Sequence, residues 1–293
     1  MKSLLRNKQK LYVSVLFLFP IVLLYSVLVI YPVFYTGYLS LTNWNGIAKK
    51  EFAGFANFIH LFNNSDFLLT LNNTLMVTGL SLIFQISIGL VLSYMLFRTK
   101  LGFKAYRAIY FVPVVIAPTA IGTMFRIILN NDVGVFKTIL GVIGLGALSR
   151  PWLSDVGVVL YVVITVQIWQ YIGLYIIIFL ASLQSIDEQI FESALMDGAN
   201  TVQTFFRIAI PQMRTIIAVA IVLCFTGSMK SFDLPFIMTT GGPGYRSSYL
   251  GNFMYRLVFE RSNFGQGSAV TMVILAISLT FTLLFNRFAR ERA

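Results

Sequence analysis

The sequence predicts an all-α integral membrane protein with six transmembrane helices, and three observations carry that class. Hydrophobic residues make up 57% of the chain, charged residues only 11%, and the mean hydropathy is +0.80, a composition foreign to soluble domains. Apolar runs such as SVLFLFPIVLLYSVLVIY approach the ~20 residues needed to cross the hydrocarbon layer. They are continuous rather than alternating, which excludes barrel strands, and helices are then the way left to satisfy every backbone polar group in lipid.

In chain order, residues 1–10 form a basic tail with Lys2, Arg6, Lys8 and Lys10. A signal peptide would look similar at its start, but the apolar run over 11–31 is longer than a signal core and no small-residue cleavage pattern closes it, so it reads as a retained first span. Charge-poor intervals place the others at about 71–97, 108–129, 157–181, 215–232 and 268–285, within a single transmembrane domain over 11–293. Arg126 and Lys230 sit near span ends, where long stems reach the interface. The glycine-rich LGVIGLGAL from Leu140 is too short to cross and reads as interfacial.

Basic residues in the connections set the orientation. The tail, Arg98 to Arg107, Arg207 with Arg214, and the arginines at 287, 290 and 292 hold 13 of the 22 Lys and Arg. The opposite connections, 32–70, 130–156 and 233–267, hold seven. By the positive-inside rule the richer side is cytoplasmic, so both termini and the 182–214 loop face the cytoplasm. The formal charge of +11 is thereby largely a topological signal, and nucleic-acid binding is not called for.

Chemistry is sparse. None of the eleven carboxylates lies in mid-span and the one histidine, His60, is in an outer loop, so no proton relay is visible. Cys224 has no second cysteine to pair with and reads as a small buried apolar side chain; no metal site is expected. The glycine-rich TTGGPGYRSS lacks the lysine of a phosphate loop. No catalytic constellation is expected in this chain, and energy for any driven transport has to arrive from a partner.

The 182–214 loop carries the strongest local signals. Ser185 with Glu188, and Asn200 with Gln203, both fit a capping box and predict two helix starts. Gly198 between them suits a left-handed turn, and Pro211 restricts the backbone before the next span. On the first helix Phe191, Ala194 and Leu195 share a face and Glu188 and Glu192 lie one turn apart on another. Such a helix either fits a groove on another protein or lies among lipid headgroups, where its acids would meet anionic lipid.

The residues Glu192, Ser193, Ala194, Gly198, Ile208, Ile210 and Pro211 closely resemble the EAA signature of ABC importer permeases. The signature has alanine where Ser193 stands and usually leucine where Ile210 stands. LTNWNG, YFVPVVIAPTAIGTMFRIILN and FDLPFIMTTGGPG look like the short six-span sugar-permease branch, and the likeness runs over nearly the whole chain. The resemblance implies a type I ABC importer permease fold with the EAA segment as a cytoplasmic coupling helix, in which Glu192, Ser193, Ala194, Asp197, Gly198, Ile208 and Pro211 meet the ATPase. It further implies a second permease subunit of different sequence, two ATPase subunits, an extracytoplasmic sugar-binding protein, and a place in the bacterial cell membrane. No cofactor is expected on this chain; ATP and Mg belong to the ATPase. A permease for another solute, such as a glycerol phosphate ester, shares these features, and a self-contained carrier or channel is the reading from a different class.

A sugar path needs amide, hydroxyl and aromatic groups at midplane. Gln167, Tyr171 and Tyr175 are successive four-residue steps on one face of the fourth span, and Thr226, Ser228 and Ser231 are polar positions at the fifth. The same residues serve equally as interhelical hydrogen-bonding groups. Trp169 reads as a packing or permease-partner residue, and Trp44 and Trp152 as members of an aromatic belt.

Overall fold

The computed structural model describes residues 17–47, 49–99, 103–132 and 134–291. Lys2, Arg6, Lys8, Lys10, the start of the first expected span, Lys100 and Arg292 lie outside the described residues. Contacts cluster into two compact units, one of Met1–Leu61 with Met254–Val273 and one of Phe62–Phe253 with Ile274–Ala293.

In the first unit, helix α1 (Phe17–Ser40) is followed by an antiparallel pair, β1 (Thr42–Asn43) and β2 (Glu51–Phe52), with Thr42 opposite Phe52. Helix α2 (Ala56–Phe62) is pinned to this corner because Asn57 Nδ2 donates to Ser40 O and Thr42 O at 2.8 and 2.9 Å. The Trp44 and Phe264 rings lie 5.1 Å apart, and Lys50 Nζ stands 4.5 Å over the Trp44 face, so this belt candidate is engaged in local packing. Among the described residues of α1, none in its apolar window is buried by the chain itself.

In the second unit, helix α3 (Ser65–Arg98) starts where Asn64 caps it, its side chain accepting from the Asp66 and Phe67 amides. It packs along α7 (Val159–Gln184) at Gly89, where an added Cβ would stand 3.1 Å from Tyr175 Cβ. The expected span over 108–129 is broken: α4 (Phe103–Val115) and α5 (Pro118–Ile128) meet at 92°. Pro118 cannot continue the ladder of α4 and restricts Ala117, which is extended at ψ 134°. Gln170 of α7 donates Nε2 to the Ile116 carbonyl at this break, at 3.4 Å. Helix α6 (Val135–Val142) contains the start of the glycine-rich stretch and is followed by α7.

The remaining elements are α8 (Glu188–Met196), α9 (Thr201–Gln212), α10 (Arg214–Met229), α11 (Asp233–Thr239), α12 (Leu250–Tyr255) and α13 (Phe264–Glu291). Helix α10 is shorter than a full span and is bent by 75° from α9 at Met213. Thus α1, α3, α7 and α13 are continuous apolar helices of crossing length among the described residues, and six such segments are reached when each bent pair counts as one. Among the described residues, the second unit holds two larger apolar cores. One joins Val77, Ile121, Val163, Leu234 and Tyr249; the other joins Ile86, Tyr94, Phe179, Phe205, Ala209 and Met213.

Candidate functional site: a capped helix pair and a polar seam

The start of α8 corrects one expectation. Its cap is Asp187, whose carboxylate accepts from the Gln189 amide at 3.0 Å, not Ser185. Ser185 keeps a helical backbone as the C-cap of α7 and bonds back to Ser182 O, so it is spent on ending one helix rather than starting the next. The second expected cap is present as a reciprocal box: Gln203 N donates to Asn200 Oδ1 and Asn200 N to Gln203 Oε1, both at 2.9 Å.

Between them Gly198 has φ +78°. The Gly198 amide donates to Leu195 O and the Ala199 amide to Ala194 O, the paired bonds by which a left-handed residue closes a helix. Nothing lies within 4 Å of where a Gly198 Cβ would be. The glycine is therefore favoured by backbone geometry rather than by crowding.

Helix α8 is held against its own chain. Phe191 packs on Phe97 with ring centres 5.2 Å apart, Ala194 is buried, and Tyr94 meets Phe205 of α9 at 4.9 Å. Arg98 Nη1 donates to Thr201 Oγ1 at 2.9 Å. The apolar face of Phe191 and Ala194 is thus turned inward, while Ser193, Leu195, Met196 and Asp197 are exposed. A groove of about 480 Å³ runs beside it, lined by Arg98, Glu188, Phe191, Glu192 and Leu195 among others. Ile208 is half-buried and Pro211 exposed; the π turn Phe205–Ala209 lies just ahead of Pro211, whose missing N–H leaves a place in the ladder open.

The second group of expected residues lies between α3, α7 and α10. Ser231 Oγ donates to Gln167 Oε1 at 2.9 Å, Gln85 Nε2 to Gln167 O at 3.4 Å, and Cys224 Sγ to Gln85 Oε1 at 3.4 Å. Tyr175 and Ser228 are buried and flank Cys224. Tyr171 is half-buried, and Thr226 turns back to Val222 O of its own helix. Gln167, Ser231, Tyr175 and Ser228 are therefore brought together; Thr226 is not joined to them by a hydrogen bond. Gln85, Tyr94, Phe97 and Arg98 were not read as site residues in the sequence. A lone amide in the otherwise apolar LIFQI was the available signal for Gln85, whereas the roles of Phe97 and Arg98 depend on which helix α8 folds against. Trp169 packs edge-on to Phe125 at 5.4 Å and remains partly exposed; Trp152 packs on Phe136.

Residues 1–291 match the family described as binding-protein-dependent transport system inner membrane component. The "Probable ABC transporter permease protein YurN" of Bacillus subtilis (strain 168) is 35% identical over 96% of this chain and 97% of its own length. The lactose transport system permease protein LacF of Rhizobium radiobacter is 30% identical, with 98% of each chain covered. In structure, a chain of a bacterial ABC transporter involved in the import of the acidic polysaccharide alginate superposes with a TM-score of 0.86, 23% identity and 99% of each chain covered. The fold is accordingly that of ABC importer permeases. The chain belongs to the binding-protein-dependent transport system inner membrane component family, as a multi-pass membrane permease.

Proposed function

We propose that the chain is a permease subunit of an ATP-driven importer that moves a sugar or oligosaccharide into the cytoplasm. The observation that carries this reading is the capped, glycine-terminated helix α8, braced on α3 through Phe97 and Phe191 and exposing Ser193, Leu195 and Met196. A helix so braced transmits a push to the spans instead of yielding to it. Glu192, Ser193, Ala194, Asp197, Gly198, Ile208 and Pro211 form the coupling element, with Ala194 acting from inside by seating the helix.

ATP and Mg bind a separate ATPase, two copies of which engage this chain and a second, different permease. A sugar-binding protein delivers solute from outside, and both termini face the cytoplasm, in line with the excess of Lys and Arg on that side. Relatives named for lactose and for trehalose/maltose transport support the sugar class. Two packings of the spans, each favoured by a different nucleotide state of the ATPase, alternate access to a path at Gln167, Tyr171, Tyr175, Thr226, Ser228 and Ser231. Proteoliposomes test this: uptake should need the ATPase, the binding protein and ATP together. Flux through this chain alone would point to a self-contained carrier instead.

A further inference from the structure

A polar cavity of about 410 Å³ lies apart from both groups of residues above, at the size of small-molecule sites. It forms where α5 and α11 run out side by side. These helices approach so closely that a Cβ on Gly122 would stand 2.9 Å from Ile237 Cγ2. Arg126, Asn131, Asp132, Ser154, Thr239 and Thr240 are among its walls. Among the described residues, neither the Arg126 guanidinium nor the Asp132 carboxylate has an ion-pair partner, although both line the same space.

That combination selects a ligand chemistry. A guanidinium only donates and a carboxylate only accepts, so a group able to do both satisfies the pair. A hydroxyl is such a group, and several on one molecule match Arg126, Asp132, the Asn131 amide and the Ser154 hydroxyl at once. A carboxylated ligand is opposed, because Asp132 is joined at the wall by the carbonyl ends of α5 and α11, where helix dipoles are negative.

We propose that this cavity is an acceptor site for a neutral saccharide on the outer side of the permease, occupied between release from the binding protein and entry to the path. The proposal rests on the importer reading and adds a site and a charge preference to it. It is tested on the full chain in the assembled importer in nanodiscs, without binding protein. Cys224 is buried, so S154C supplies a reactive thiol at the cavity, and its modification by a small methanethiosulfonate is followed on this chain by mass spectrometry.

Lactose, trehalose and maltose are the neutral probes and glucuronate the anionic one. At least one neutral disaccharide should slow modification about threefold at twice its dissociation constant. Glucuronate should not, and D132A or R126A in the S154C background should abolish the protection. No protection by any of the three, or equal protection by glucuronate, would overturn the site. Uptake assays on the same importer in proteoliposomes, with binding protein and ATP supplied, separate the two readings. Saccharide uptake without protection sinks the acceptor site only, whereas absence of all saccharide uptake sinks the importer reading itself.

Discussion

The ring of Phe97, at the end of α3, stands 5.2 Å from the ring of Phe191 in the middle of α8. One of these residues lies in the last turn of a long apolar helix and the other in helix α8 of the 182–214 loop, so on the proposed importer reading their contact is where loop movement becomes helix movement. Beside it, the 2.9 Å hydrogen bond from Arg98 to Thr201 ties α3 to the start of α9.

Removing the ring at Phe191 should therefore loosen the brace without unfolding the spans. An aromatic pair contributes about 1 kcal/mol beyond its buried area. F191A is expected to lower ATP-driven uptake at least about tenfold while basal ATP hydrolysis by the assembled complex persists. F191L, which keeps apolar bulk, should retain more uptake than F191A; equal uptake in wild type and F191A would remove the brace from the mechanism.

At Gly198 the cost is purely conformational. A left-handed backbone disfavours an L-residue by about 1–2 kcal/mol, and nothing surrounds the position to add a clash. Asparagine, which tolerates this conformation, should preserve most uptake, alanine less, and valine least. All three should insert and assemble normally by gel filtration. Full uptake with valine would show that the turn is dispensable.

Gly173 presents the opposite case. An added Cβ there would fall 1.8 Å from the Tyr110 carbonyl oxygen, where α7 crosses α4. G173A should destabilise the purified chain by about 3 kcal/mol, read as a fall in Tm. G227A, which meets nothing within 4 Å, should leave Tm unchanged or raise it, because alanine favours helix.

In the polar seam, Ser231 and Gln167 share a 2.9 Å bond. A double-mutant cycle of S231A and Q167L should return a coupling of about 0.6 kcal/mol, the size found for hydrogen bonds between membrane helices. Y171F is the counterpart for solute contact. Loss of one hydroxyl bond to sugar, about 1 kcal/mol, should raise KM for uptake about fivefold with Tm unchanged. An unchanged KM would confine the seam to holding helices together.

What the sequence made legible follows from local physics. Continuous apolar runs mark spans, an Asn-x-x-Gln box marks a helix start, and a glycine after a helix marks its turn; Asn200 and Gly198 adopt those conformations. Ser185 misled because a serine can close one helix as readily as open another, and the choice depended on how far α7 extends. The 92° break at Ala117 was readable in principle from Pro118, but apolarity is blind to direction and merged the two helices. Phe97, Arg98 and Gln85 stayed hidden because their partners lie about 80 to 140 residues away, and no local pattern reports such a pairing.

The measurement that reaches the central claim most directly is a crosslink from the exposed face of α8. In the assembled importer S193C should crosslink to the ATPase subunit, in a yield that changes between the nucleotide-free and ATP-bound states, and should be inaccessible to a membrane-impermeant thiol reagent added outside. A Ser193 position that labels from outside, or that never crosslinks to an ATP-hydrolysing neighbour, would contradict the account.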